Sequence, residues 1–583
     1  VAETVNAWLE RVDDQSKGGL RFVNREELDM WVPWEEVRER ALSVASGLRA
    51  LGVGRGDRVA LVFPTGLQFF EGFFGSLLLG AVPVPLYPPV RLGRMAEYVR
   101  RTARMLEVTR ARLVLADPRV RRVLGEAVAA AKPPGGCRTI EDLPFGRAVQ
   151  PVRPDPSELA LVQFSSGTTV DPKPVALSHR ALVAQADILN SYWPDSDELR
   201  HSCVSWLPLY HDMGLIGCVL PSLARDGALT LLGPELFITR PALWLRTLSR
   251  YQATISLAPN FAYALCVSRI QDEEMEGVDL SALRTALNGA EAVAPGVLRA
   301  FCDRFARWGL RPEALTPVYG LSEAALAVTF SDFDRPFSSA RFDRERLARD
   351  GQATEAAEGR EIVSVGRPLR GFRLRILDEV GRELPAGQVG RVWIAGPSLM
   401  EGYLDDPEAT ARALVDGWLD TGDLGFLHGG ELYLTGRAKD LIILRGRNYS
   451  PEEVERAVDT VPGVRAGCAV AASWLPEDAE GEVLALFVEA ARQASESELE
   501  ALPEACREAV LGILGLTVDR VVVLEPGTIP RTSSGKLRRG ETLRLHLAGE
   551  LAPPDPVTPL RLAGTMARSS LAYARLRWGR REE

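Results

Sequence analysis

Short apolar runs alternate with longer amphipathic segments through the first three-quarters of this chain. That alternation limits the fold more than any other feature. RVALVF (58–63) reads as a strand and the segment after Pro64 as a helix. AVPVPL (81–86), ARLVLAD (111–117), LALVQF (159–164), ALTLLG (228–233), ATISLAP (253–259) and RTALNGAE (284–291) read as further strands or extended turns. Strands and helices in alternation predict α/β architecture with largely parallel sheets. Between 364 and 402 the pattern changes to VSVGRPL, FRLRILD and VGRVWIAG, split by turn candidates, which predicts a smaller β subdomain. After Asp440 a compact α+β region follows. In it Ser450, Pro451 and Glu453 are placed as N-cap, N1 and capping-box residues of a helix.

With 583 residues the chain exceeds one core, and two to four domains are expected. The expected boundaries are a large unit over 1–438, with its β subdomain at about 364–438, a small C-terminal domain over 439–545, and a linker with a short basic helix over 546–583. The net charge of −9 argues against a general nucleic-acid binder. Seven scattered cysteines without a CxxC pair indicate neither a zinc site nor a disulfide framework. The start, VAETVNAWLERVDD, does not read as a signal peptide. The apolar stretch FFEGFFGSLLLGAVPVPLYPPV carries Glu71 and four prolines, so a buried helix and strand are expected rather than a membrane span. A cytoplasmic enzyme is the expected class.

Positive charge is written almost wholly as arginine. The five lysines are Lys17, Lys132, Lys173, Lys439 and Lys536, and the last three sit inside motif-like strings. Lysine is a compact point charge on a flexible stem, whereas arginine is a planar fork that keeps its proton. Those three positions are therefore candidates for chemistry. The string LVQFSSGTTVDPKPVALSH (161–179) runs a strand into a loop of hydroxyls and glycine. Ser165, Ser166, Gly167, Thr168 and Thr169 could cradle phosphate oxygens, with Lys173 adding charge. It is not a Walker A loop, and by itself such a loop is more often a plain turn.

Six further strings follow in order: WLPLYHDMGLIG (206–217), LNGAEAV (287–293), YGLSE (319–323), DTGDLG (420–425), GRAKDLIILRGRNYSPEEVE (436–455) and RTSSGKLRR (531–539). Together with the loop they resemble the adenylate-forming (ANL) superfamily, the acyl- and aminoacyl-activating ligases. The resemblance implies joining a carboxylate to the α-phosphate of ATP with loss of pyrophosphate, with ATP and Mg²⁺ as cofactors. It implies nucleotide contacts from Ser165 to Thr169 and Lys173, from Gly289, Ala290, Glu291, Tyr319, Gly320 and Ser322, and from Asp423 and Arg437. It implies Glu323 as the Mg²⁺ ligand, His211 beside the carboxylate, Lys536 bridging carboxylate and α-phosphate, and Lys439 as the hinge of a mobile C-terminal lid. Val170 and Pro174 depart from the family's glycines, which puts the geometry of the loop in question.

Several strings look most like the fatty acyl-AMP ligases. The polar stretch 332–361 matches the place of an insertion in that branch, thought to restrain the small domain and disfavour coenzyme A. The branch implies a fatty acid substrate and, as acceptor, a holo-acyl carrier protein or the carrier domain of a polyketide or peptide synthase. Arg91, Arg94, Arg100, Arg101, Arg104, Arg110 and Arg112, or the basic tail, are candidate docking charges. An acyl-CoA ligase and a catalytically weak nucleotide-binding scaffold remain the alternatives.

Overall fold

The computed structural model describes residues 4–89, 92–144, 146–165, 172–196, 199–444, 447–476, 482–532 and 535–582. Its widest layer is a nine-stranded sheet. In chain order the strands are β1 (Gly19–Val23), β2 (Asp29–Pro33), β3 (Cys203–Ser205), β4 (Ala228–Leu232), β5 (Ile255–Ala258), β6 (Thr285–Asn288), β7 (Leu315–Gly320), β8 (Ala327–Phe330) and β9 (Arg367–Pro368). They lie in the order β9-β8-β7-β6-β5-β3-β4-β1-β2. The strands from β7 to β1 pair in parallel, and β8, β9 and β2 close the edges antiparallel. Strands β5 and β6 are buried along their length, which is why ISLA and TALN show no polar alternation.

A second, four-stranded parallel sheet is formed by Arg58–Val62, Val82–Pro85, Leu113–Ala116 and Cys137–Arg138. Helix Leu67–Leu78 is buried from Phe69 onward. Its Glu71 is paired with Arg40 at 3.3 Å. Among the described residues no helix is long and apolar enough to cross a membrane. The β subdomain is a five-stranded antiparallel sheet of Arg373–Leu377, Gly390–Ala395, Leu414–Val415, Trp418–His428 and Glu431–Arg437. The DTGDLG string lies inside its longest strand, so Asp423 is held by a sheet rather than by a turn.

The C-terminal part carries a three-stranded sheet of β10 (Val464–Trp474), β11 (Val483–Ala490) and β12 (Arg520–Leu524) with its own core, including Val454, Leu486, Leu502 and Val510. Ser450 precedes helix Pro451–Val458, but the expected capping box does not form. The Ser450 hydroxyl bonds Glu452, while Glu453 is drawn away by Arg344 at 2.8 Å and Arg360 at 3.2 Å. Charge-assisted bonds win over a neutral backbone donor.

The stretch 332–361 is not a structureless loop. Strands Ser339–Phe342 and Arg360–Val363 pair antiparallel around helix Arg344–Asp350. Phe342, Leu347 and Ile362 anchor the unit on Phe426 and Tyr433. It reaches the C-terminal part through Arg344 and Arg360 to Glu453, and through Glu345 to Arg447 at 3.3 Å.

Helix α1 (Pro118–Ala131) of the large unit carries the tail. Helix α2 (Pro559–Glu582), longer than the short helix expected, packs against it. Gly125 N–H donates to the Ser569 hydroxyl at 2.8 Å, and Tyr573 OH donates to the Arg121 carbonyl at 3.2 Å. A Cβ on Gly125 would sit 2.1 Å from the Ser569 carbonyl oxygen, so only glycine permits this crossing. Of the candidate docking arginines, Arg94 donates to the Thr528 carbonyl at 2.8 Å, and Arg110 pairs with Asp405 at 3.5 Å. Arg91 lies outside the described residues.

Candidate active site

Parallel strands end on one edge, and in open α/β sheets ligands bind beyond those C-terminal ends. Here Gly289 follows β6 and Gly320 ends β7, while Ser165 follows strand Leu159–Phe164 of a separate antiparallel sheet. All three border one cavity of about 400 Å³. Gly320 is required by packing, because a Cβ there would lie 1.8 Å from the Leu326 carbonyl oxygen. Ala290 holds φ at +68°, a left-handed conformation that turns the chain sharply after Gly289.

The cavity brings together Ser165, Lys173, His211, Gly289, Ala290, Tyr319, Gly320, Ser322, Glu323, Arg437, Lys439 and Lys536. Ser166, Gly167, Thr168, Thr169 and Val170 lie outside the described residues. Glu291 serves the neighbouring helix, since its carboxylate accepts from the Phe261 N–H at 2.6 Å at the start of Asn260–Arg269.

Lys173 is fixed by its backbone. Its N–H donates to the Ser165 hydroxyl at 3.2 Å, and its carbonyl accepts from Ser165 N–H at 2.9 Å. Its ammonium lies 4.3 Å from the centre of the Tyr403 ring. Pro174 opens the next strand, where its lack of an N–H is tolerated, and its carbonyl accepts from Leu404.

Tyr403 OH donates to Glu323 at 3.0 Å. Burial pushes the Glu323 carboxyl above the usual value, with Tyr403, Arg437 and Lys173 opposing. A carboxylate so placed gains by meeting a cation. Among the described residues no cluster of three His, Cys, Asp or Glu side chains forms a metal cage. A lone carboxylate is compatible with Mg²⁺, which keeps several waters and needs few protein ligands.

Asp423 accepts from Tyr319 OH at 2.7 Å and pairs with Arg437 at 3.2 Å. Burial raises its pKa and Arg437 opposes the rise. Tyr319 is therefore tied to the β subdomain through its hydroxyl while its ring borders the cavity.

Asp212, next to His211, has no motif of its own in the sequence. Its carboxylate lies 2.6 Å from His211 Nδ1 and accepts from Met213 N–H at 2.7 Å and from the Ser322 hydroxyl. Burial works against its ionisation, yet His211 and Ser322 hold its carboxyl well below the usual range. The arrangement turns His211 Nε2 away from Asp212, buried and without a hydrogen bond among the described residues. The HD dipeptide is the only sequence signal for this pair.

Lys536 comes from the C-terminal part, on a tight loop. Its N–H donates to the Thr532 hydroxyl at 3.0 Å, and Arg531 donates to the Gly535 carbonyl at 2.8 Å. Burial depresses the Lys536 ammonium below the usual lysine value. Asp212, Glu291 and Asp423 oppose that shift, and Arg437 reinforces it. Its charge acts in turn on Asp212 and Asp423, favouring the ionised form of each.

Comparison with known proteins places this geometry. Residues 12–404 match the family model described as AMP-binding enzyme. The chain is 35% identical to a 4-hydroxyphenylalkanoate adenylyltransferase of Mycobacterium marinum, covering 89% of this chain and 86% of that one. It is 32% identical to a long-chain-fatty-acid–AMP ligase of Mycobacterium tuberculosis, covering 90% and 92%. A solved structure from work on fatty acyl-adenylate ligases of E. coli and L. pneumophila superposes with a TM-score of 0.86 at 33% identity, covering 94% of this chain and 98% of that one.

Proposed function

Because the chain belongs to the AMP-binding, adenylate-forming enzymes, we propose that it activates a fatty acid as its acyl-adenylate and passes the acyl group to the phosphopantetheine thiol of an acyl carrier protein. The observation that carries this reading is the position of Lys536 in one cavity with His211, Glu323, Tyr319 and Arg437.

The reaction sets two anions against each other, so the site must neutralise charge and hold the nucleophile in line. Ser165 and Lys173 border the β- and γ-phosphates, and Ser166 to Thr169 complete that loop in this assignment. Gly289 and Ala290 line the base. The Asp423 carboxylate accepts from the ribose hydroxyls, with Arg437 keeping it ionised. His211 Nε2 faces the substrate carboxylate, and Asp212 and Ser322 fix the ring. Lys536 reaches both the carboxylate and the α-phosphate oxygen, a bridge that a flexible point charge makes better than a fork. Glu323 would hold Mg²⁺, which when bound offsets phosphate charge. After adenylation the C-terminal domain, over 439–545, turns about Lys439 and withdraws Lys536.

The carrier-protein acceptor is supported by the folded 332–361 unit. Its bonds to Glu453 and Arg447 tie the C-terminal part to the large unit. A second reading, coenzyme A as acceptor, is favoured by relatives such as a putative acyl-CoA synthetase of Caulobacter vibrioides at 36% identity. The test is mass spectrometry of products formed from ATP, Mg²⁺ and a fatty-acid panel with either coenzyme A or holo-carrier protein. Acyl-carrier with little acyl-CoA is expected, and acyl-CoA as the main product would select the second reading.

A further inference from the structure

The end of the cavity remote from Lys536 is not the plain apolar floor that an alkyl chain needs. Its waist is apolar, with Leu189, Leu257, Leu287, Leu326 and Phe330. Beyond the waist, at the N-terminal ends of the strands, it is lined by Asn190, His201, Ser202, Ser222 and Arg225. The register fixes the separation. Cys203 on β3 and Thr285 on β6 are both level with Ile255 on β5. Gly289 lies four residues beyond Thr285, about 13 Å at ~3.3 Å per residue.

Arg225 is the charged group of this cluster. Its Nε and Nη2 donate to the Asn190 carbonyl oxygen at 2.9 and 2.6 Å. Asn190 in turn donates to the Pro221 carbonyl at 3.2 Å. Arg225 Nη1 is buried without a hydrogen bond among the described residues, and it pairs with Asp195 at 3.8 Å. His201 Nδ1 lies 3.0 Å from the Thr254 hydroxyl, and its backbone N–H donates to Asp195 at 2.8 Å. Asn190 is therefore held with its oxygen spent on Arg225, and the cluster keeps donor capacity beyond its own bonds.

A methyl terminus would leave that capacity unsatisfied, and a buried donor without a partner is costly. A second carboxylate would compete with Asp195 for one guanidinium. A neutral oxygen satisfies the donors and adds no charge. We propose that the acid activated here carries a neutral hydrogen-bonding oxygen, a hydroxyl, phenol or oxo group, at the end remote from its carboxylate, received by the Asn190–Arg225–Ser222 cluster. This rests on the acid-adenylating reading above.

The test is ATP–pyrophosphate exchange with saturated fatty acids, their ω-hydroxy counterparts and the matching α,ω-dicarboxylic acids over a series of lengths. The ω-hydroxy acid of best-fitting length should exceed its plain counterpart in kcat/KM by about tenfold to a hundredfold, the size set by a buried donor left unpaired. Arg225→Met should bring that ratio close to one, the change falling mainly on KM. Should that variant fail to fold, Ser222→Ala and direct calorimetric binding of the paired acids to the wild-type protein carry the same comparison. Plain acids equal or better at every length would overturn the proposal, as would a preference for dicarboxylic acids. Exchange with none of the acids would overturn the ligase reading and this inference with it.

Discussion

The two ends of the cavity are built in opposite ways. The end with Lys536 draws side chains from several units: Lys173 and His211 from the large unit, Arg437 from the β subdomain with Asp423 paired to it at 3.2 Å, and Lys536 from the C-terminal part. Its charges are close and opposed, and their balance depends on where the C-terminal part sits. The far end is set within the large unit alone, by β3, by helix His179–Tyr192 and by the helix that ends at Arg225. Its side-chain partners, Asn190 for Arg225 and Thr254 for His201, all belong to that unit. On the proposed reading, chemistry belongs to the assembled end and choice of substrate to the other.

The largest effect that would separate the two ends is Lys536→Ala. We expect adenylate formation to fall by about a thousandfold or more, as for loss of a donor aimed at developing charge, while calorimetric binding of the acid alone stays near normal. An equal loss of acid binding would break the distinction. Asp423→Asn should be milder. It keeps the Tyr319 contact but loses the charged acceptor, raising KM for ATP by about tenfold, the worth of a charge-assisted hydrogen bond, with KM for the acid little changed.

The smallest effect is on pH. The proposed mechanism uses Lys536 as ammonium and Asp423 as carboxylate. Burial lowers the lysine's pKa and raises the aspartate's. Both limbs of the pH profile of kcat/KM for ATP therefore move inward. The alkaline limb falls below the ordinary lysine value of 10.5, and the acid limb rises above the ordinary 3.8. Asp423→Asn should remove the acid limb and leave the alkaline one. Substitutions at the far end, such as Arg225→Met, should move neither.

Legibility in the sequence follows the same division. Residues at the assembled end sit in short strings whose spacing is dictated by one loop or strand end, so Lys173, Tyr319, Glu323, Asp423 and Lys536 are readable. Asp212 is not, because its importance comes from being buried against His211 and Ser322. Tyr403 escapes for the same reason: it meets Glu323 across 80 positions of chain. Nothing in PSLARDG marks Arg225, whose role depends on which side of the sheet its helix ends. The alternation of apolar runs announces the α/β architecture and three strands of the central sheet, β4, β5 and β6. It is silent on the docking of α2, which rests on one close approach at Gly125. The capping box at Ser450 fails because Arg344 and Arg360, distant in sequence, claim Glu453.

The central claim is acid-dependent adenylation at the Lys536 end. Quenched reactions of the wild-type protein with ATP, Mg²⁺ and the fatty-acid panel, without any thiol acceptor, should yield acyl-AMP and pyrophosphate in equal amounts by mass spectrometry, and the Lys536→Ala protein should yield neither. Acyl-AMP at near wild-type levels from Lys536→Ala, or no acyl-AMP from the wild-type protein with any acid, would contradict it.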